Sequence, residues 1–422
     1  MIPNAARLFL TRAARPAALT AILSAAGCQS TAPNTSEYDS GTPAAIEAAD
    51  AEQPTSNPND DFVTVSEGIR IDHRGWADLG YRWEWTIRPF GRGNTEIDLV
   101  NPLGDHIAVQ ASDSFTTAVE TSTGRTEWQV RNTSPLTSFV ANARAGDTLI
   151  SCARPEMYLM DINTGNLLAR QPIHLVVTTP PVIDGGYAVF GTPVGQVLCH
   201  RFGDSKGNPL PPPLEEGLDI WGYSLDGAIT AAPVRMGHTA GFVTERGHVF
   251  FVDILSGSSR GSARISGGMD TNPVTDGQYM YVASRDQSIY AFAPESSTYF
   301  WRERTADPIT VQPTHHSGTL YCTLDAEGLV AYDVSQNALD AGEFGRRRWV
   351  NPDARGEVIA VQNRDLIVWN APALLRVDVN TGDIIGSIEL KGINRVITGN
   401  SLEDSDILAI GTKGQLVRFS AR

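Results

Sequence analysis

Ala118-Val119-Glu120-Thr121-Ser122-Thr123-Gly124-Arg125-Thr126-Glu127-Trp128 holds the clearest copy of a unit that recurs along the chain. An apolar strand ends in a carboxylate, a polar turn closes on Thr-Gly, and a second strand follows to a tryptophan. The glycine after the threonine stands where a tight hairpin needs positive φ. That conformation costs other residues about 1 kcal/mol or more. The tryptophan is placed to pack flat against a neighbouring unit.

The same unit recurs outward from this stretch at a spacing of about 40 residues. It comprises a short strand, a turn with Gly or Asp, an apolar strand, an alternating strand, a turn and a fourth strand. Around the quoted stretch it begins at Gly104-Asp105. Further copies begin at Gly146-Asp147, Pro181-Val182, Pro233-Val234, Pro273-Val274 and Pro313. The last two carry Leu366-Ile367-Val368-Trp369 and Ile407-Leu408-Ala409-Ile410. The turn glycine reappears as Gly165, Gly257 and Gly382, and the tryptophan as Trp301 and Trp349. Four short strands fit that length, which makes each copy a propeller blade. The expectation is an all-β, eight-bladed β-propeller over residues 79–422.

The eighth copy lacks a fourth strand. Tyr81-Arg82-Trp83-Glu84-Trp85-Thr86-Ile87, ahead of the first copy, is a strand of the missing type. It is expected to complete the last blade, close the ring and remove an open edge. Residues 61–78 are moderately apolar, with Phe62, Ile69, Ile71 and Trp76, and read as an N-terminal arm on the body.

Charged residues are 19% and the hydrophobic set 41%, ordinary for a folded body. The formal net charge of −15 gives no broad attraction for nucleic acid. An anionic membrane surface would also repel it, so membrane residence needs an anchor. The first 27 residues read as a signal peptide: Arg7, Arg12 and Arg15 precede the charge-free stretch Ala17 to Ala26. Ala25-Ala26-Gly27-Cys28 resembles a bacterial lipobox, which implies lipidation of Cys28; the bland reading is an ordinary signal with a chance cysteine. Gln29 after the cysteine implies, by the same resemblance, the outer membrane. Cleavage would remove three arginines and no acid, taking the charge from −15 to −18. Residues 28–60, rich in Ser, Thr, Pro and Ala, read as a flexible tether spanning on the order of 30 Å. Cys152, Cys199 and Cys322 fall in strands of separate copies and read as small buried hydrophobes.

The pattern Ala-x-Asp-x-x-Thr-Gly-x-x-x-Trp resembles the PQQ-like propeller repeat. Ala118 to Trp128 matches throughout, with Glu120 for Asp, whereas Ala169 and Gly386 stand where two other copies should carry Trp. As an exported lipoprotein with eight such blades, the chain resembles the family of the outer-membrane assembly factor BamB. That resemblance implies a non-catalytic scaffold with an envelope protein partner, monomeric by itself and without a cofactor. Two other functions stand beside it: a quinoprotein-like dehydrogenase binding PQQ, and a cell-surface module binding a polymer or protein. The adjacent cysteine pair of the quinoproteins is missing here. No phosphate loop and no Gly-x-Ser-x-Gly elbow occur. His315-His316 reads as a solvated turn, and Arg346-Arg347-Arg348 as a solvated basic insertion. No catalytic, cofactor or metal residue is assigned.

The largest irregularity is Gly203-Asp204-Ser205-Lys206-Gly207-Asn208-Pro209-Leu210-Pro211-Pro212-Pro213-Leu214. A stiff proline-rich segment is expected to expose Leu210 and Leu214 at low entropy cost, with Trp221 nearby as a third partner contact. The bland reading is an insertion tolerated at a loop tip.

Overall fold

The computed structural model describes residues 62–66, 68–91, 95–134, 137–399 and 401–422. Among these residues eight four-stranded antiparallel sheets form, seven of them from strands consecutive in the chain, and they stand in a ring. The first blade is Ile97–Pro102, His106–Ala111, Thr116–Glu120 and Thr126–Val130. The middle strands explain why the repeats read as apolar runs. His106–Ala111, Thr148–Ala153 and Thr319–Leu324 are buried at every position, because both faces of a blade pack against neighbours. The outermost strands alternate instead; Leu167–Pro172 exposes most of its residues and buries Gln171.

The eighth blade orders its strands Tyr81–Ile87, Leu416–Ala421, Ile407–Gly411 and Ile393–Thr398. Trp83 lies opposite Phe419 and Ile87 opposite Leu416, so the N-terminal strand supplies the missing fourth strand. The Arg422 backbone N–H donates to the Gly80 carbonyl at 2.9 Å, tying the end of the chain to its start. Apolar clusters bridge successive blades. Tyr281 and Ile289 of the fifth, for example, pack with Leu320, Cys322 and Tyr332 of the sixth.

The junctions between blades follow from the quoted motif. Gly165 has φ +73, and a Cβ built there would lie 2.7 Å from the indole of Trp128. The indole nitrogen donates to the Ile162 carbonyl at 2.8 Å, three residues before that glycine. The arrangement repeats with Trp85 on Gly124, Trp221 on Gly257 and Trp349 on Gly382. Their indole nitrogens donate to Thr121, Ile254 and Val379, again three residues before the glycine. Trp301 lies on Gly345, which follows a short helix, Gln336–Asp340. Glycine is needed on two counts: the positive φ, and the absence of a Cβ under the ring.

Three blades lack the tryptophan, and in each case the next blade has lost the ordinary turn. Strand register places Ala169, Gly261 and Gly386 at the tryptophan position. Ala169 precedes the blade with the long insertion. Gly261 lies against the Pro294 carbonyl, where the turn after Ser288–Phe292 has its own shape. Gly386 precedes the eighth blade, whose turn is replaced by the two ends of the chain. There the arm takes over. Ile69–Asp72 leads into the helix His73–Asp78, capped by Asp72, and Trp76 stacks on Phe419 at 3.5 Å between centroids. Trp76, Ile69 and Ile71 are buried in one cluster with Ile388, Ile393 and Phe419. The segment read as an accessory arm therefore fills the one junction that has neither a repeat tryptophan nor a turn to receive it.

Candidate functional site

The repeat builds a cavity at one face of the ring, near its axis. Each inner strand of the fourth to sixth blades is entered through a Pro-containing loop: Thr230 to Pro233, Asp270 to Pro273 and Thr310 to Pro313. Side chains 40 residues apart stitch these loops together. The Asn272 Oδ1 accepts from Ala232 N at 2.7 Å, and the Gln312 Oε1 accepts from Asn272 N at 2.8 Å. Arg285 donates to Asp270 at 2.7 Å. Over these loops lies a cavity of about 660 Å³, closed on its far side by Glu357, Trp369 and Asn370 of the seventh blade. A second cavity of about 500 Å³ adjoins it and runs along the inner strands of the fifth to eighth blades. Gln312 and Glu357 border both.

Glu357 begins the inner strand Glu357–Gln362. Its cross-strand partner is Trp369, so both side chains lie on the same face of the blade. Burial raises the pKa of Glu357, and no hydrogen bond or ion pair offsets it among the described residues. This carboxylate is invisible to motif reading. Its only sequence signal is a charge opening a run that otherwise reads as buried strand.

The long insertion sits on the opposite face, between Gln196–Arg201 and Leu218–Ser224. It is not a free tip. Gly203 and Pro209 form a bridge, and the Asp204 carboxylate accepts from the backbone N–H groups of Lys206 and Asn208 at 2.8 and 3.0 Å. Gln171 of the second blade donates to the carbonyls of Phe202 and Glu215 at 3.0 and 2.9 Å. Below the loop, buried His200 meets Asp219 at 2.8 Å through Nδ1 and Gln171 at 3.2 Å through Nε2. His174 approaches the other oxygen of Asp219 at 2.9 Å. Burial pushes the Asp219 pKa up, but His200 and then His174 outweigh it and hold it below the usual carboxylate range.

These contacts separate the three predicted partner residues. Leu214 is 40% exposed. Leu210 is only 7% exposed, because the bridged loop folds it inward. Trp221 is 6% exposed and lies on Gly257, so it is a junction tryptophan and no surface contact. The predicted repeat residues Gly124, Trp128, Gly165, Gly257, Trp301, Trp349 and Gly382 all lie at blade junctions. Cys28, the signal segment 1–27 and the tether to residue 60 lie outside the described residues.

Two further expectations are corrected. The arginine run is solvent-accessible as expected, but it forms the strand Arg346–Asn351 and is paired with carboxylates. Arg346 pairs with Glu343 at 2.9 Å, Arg347 with Glu303 at 3.0 Å and with Glu327, and Arg348 with Asp333 at 2.9 Å. His315 is not a solvated turn residue either. Its ring stacks on Tyr281, its Nε2 is buried without a partner, and burial lowers its pKa. The three described cysteines are free and buried, and burial pushes Cys152 up to about 12, so none is a ready nucleophile. Among the described residues no group of three or more His, Cys, Asp or Glu is placed to hold a metal ion.

No curated protein sequence matches the chain. Among solved structures it resembles BamB from Moraxella catarrhalis, with a TM-score of 0.59 and 16% identity over 81% of this chain and 99% of that one. It also resembles the computationally designed Ika8 protein, with a TM-score of 0.58 and 12% identity over 79% and 98% of the two chains. At such identities both likenesses speak for the fold. The sequence itself matches the family described as outer membrane protein assembly factor BamB over residues 82–205 and 214–422. The gap between those stretches falls inside the long insertion. With the match running through all eight blades, the chain belongs to the BamB family.

Proposed function

We propose that this protein is a non-catalytic scaffold of the bacterial envelope, held by lipid at Cys28, that engages protein partners during assembly of outer-membrane β-barrels. The family match across residues 82–205 and 214–422 carries this reading. A closed ring with buried junctions keeps its two faces rigid, which lowers the ordering cost of binding. Among the described residues no helix is long and apolar enough to cross a membrane, and the lipid on Cys28 supplies the attachment. Leu214, with Glu215 and Glu216 beside it, is the proposed partner contact on the insertion face.

The test is recovery from detergent-solubilised membranes. The wild-type protein should co-purify with a β-barrel assembly component, and Cys28→Ser should move the protein to the soluble fraction. Recovery of the membrane-bound protein with no assembly component would overturn the reading.

A further inference from the structure

The cavity at the axis has a feature that scaffold packing does not require. It lies within the range of about 300–1,000 Å³ typical of ligand sites. Most of its charged and amide side chains are already paired, while the Thr271 hydroxyl is buried without a partner among the described residues. Asp270 is paired with Arg285, and Asn272 and Gln312 are spent on neighbouring loops. Glu357 is the remaining formal charge in the lining and faces no partner among the described residues. Glu357 is half-buried, and a carboxylate drawn partly out of water without a counter-charge carries a desolvation cost. Packing alone would favour a neutral residue here. Directly across the strand pair stands Trp369, which packs against the core of the seventh and eighth blades and also lines the cavity.

We infer that this cavity is a binding site for an organic cation, the guanidinium of an arginine side chain presented on an extended peptide segment, with Glu357 as counter-charge and Trp369 as stacking wall. A planar guanidinium matches both groups at once, donating to a carboxylate while lying against an indole face. A bare divalent metal fits poorly, because the lining offers one unpaired carboxylate and no further free anionic ligand. The site does not depend on a role in barrel assembly.

The experiment titrates the full folded chain with acetyl-Gly-Arg-Gly-amide, followed by calorimetry and tryptophan fluorescence at low salt. The same peptide with citrulline, the neutral isostere of arginine, is the control. The arginine peptide should bind at least tenfold more tightly than the citrulline peptide. Glu357→Gln should abolish that preference while leaving the melting temperature unchanged or higher, since it removes a half-buried charge that has no partner among the described residues. Trp369→Leu should weaken arginine-peptide binding severalfold. Equal binding of the two peptides to the wild-type protein would overturn the inference, and this arm needs no variant. A preference that survives Glu357→Gln would also overturn it, by tracing the attraction to the protein's overall negative charge.

Discussion

Trp128 lies over Gly165 of the next blade, and its indole nitrogen donates to Ile162 at 2.8 Å, so one residue both fills a junction and fixes its register. Trp128→Ala should cost about 3–5 kcal/mol by the scale of large-to-small core truncations. Gly165→Ala should also destabilise, by at least about 1 kcal/mol, since it combines positive φ with a methyl group aimed at the ring. Urea unfolding of both single variants and the double variant checks this. The double variant should cost clearly less than the sum, because truncating the ring makes room for the methyl.

Trp76 should matter as much as a repeat tryptophan, although it lies outside the repeats. Trp76→Ala removes the ring stacked on Phe419 and should cost about 3–5 kcal/mol. Hydrogen exchange should localise the loss, with faster exchange along Leu416–Ala421 and Tyr81–Ile87 and little change in the third and fourth blades.

Asp253 predicts a specific acid dependence. Arg260, at 2.8 Å, and the backbone N–H of Ser256, at 2.9 Å, hold its pKa at about 2. An unfolded aspartate titrates near 3.9. The folded value is depressed, so this stabilisation is fully present above about pH 4 and is lost as pH falls toward 2. Asp253→Asn should destabilise by about 1–2 kcal/mol at pH 7. The gap from wild type should close as the pH is lowered to 2, measured by urea unfolding across that range.

The two leucines of the insertion should behave oppositely. Leu210→Asp puts a charge into a buried position and should lower the melting temperature by several degrees. Leu214→Asp alters an exposed position and should leave the melting temperature within a degree while weakening partner recovery from membranes.

The ring was legible because each blade repeats the same local chemistry. Thr-Gly turns, buried middle strands and a terminal tryptophan all carry short-range signals, and the spare strand Tyr81–Ile87 matched the missing one in kind. What the sequence hid were contacts between distant residues. Ala169 and Gly386 read as departures from the repeat, yet they and Gly261 each face a junction whose receiving turn has changed, which only the three-dimensional neighbours reveal. Leu210 and Trp221 were misread because proline content and proximity to a loop say nothing about which side chains fold inward. Glu357 carried no motif at all; its interest comes from Trp369 across the strand and the lack of a partner among the described residues.

The scaffold reading is tested most directly by a photo-crosslinking residue placed at Leu214 in the full-length, membrane-attached protein in living cells. A crosslink to a β-barrel assembly component is expected, lost when the same residue is placed at the buried position of Leu210. Crosslinks confined to proteins with no part in barrel assembly would contradict it.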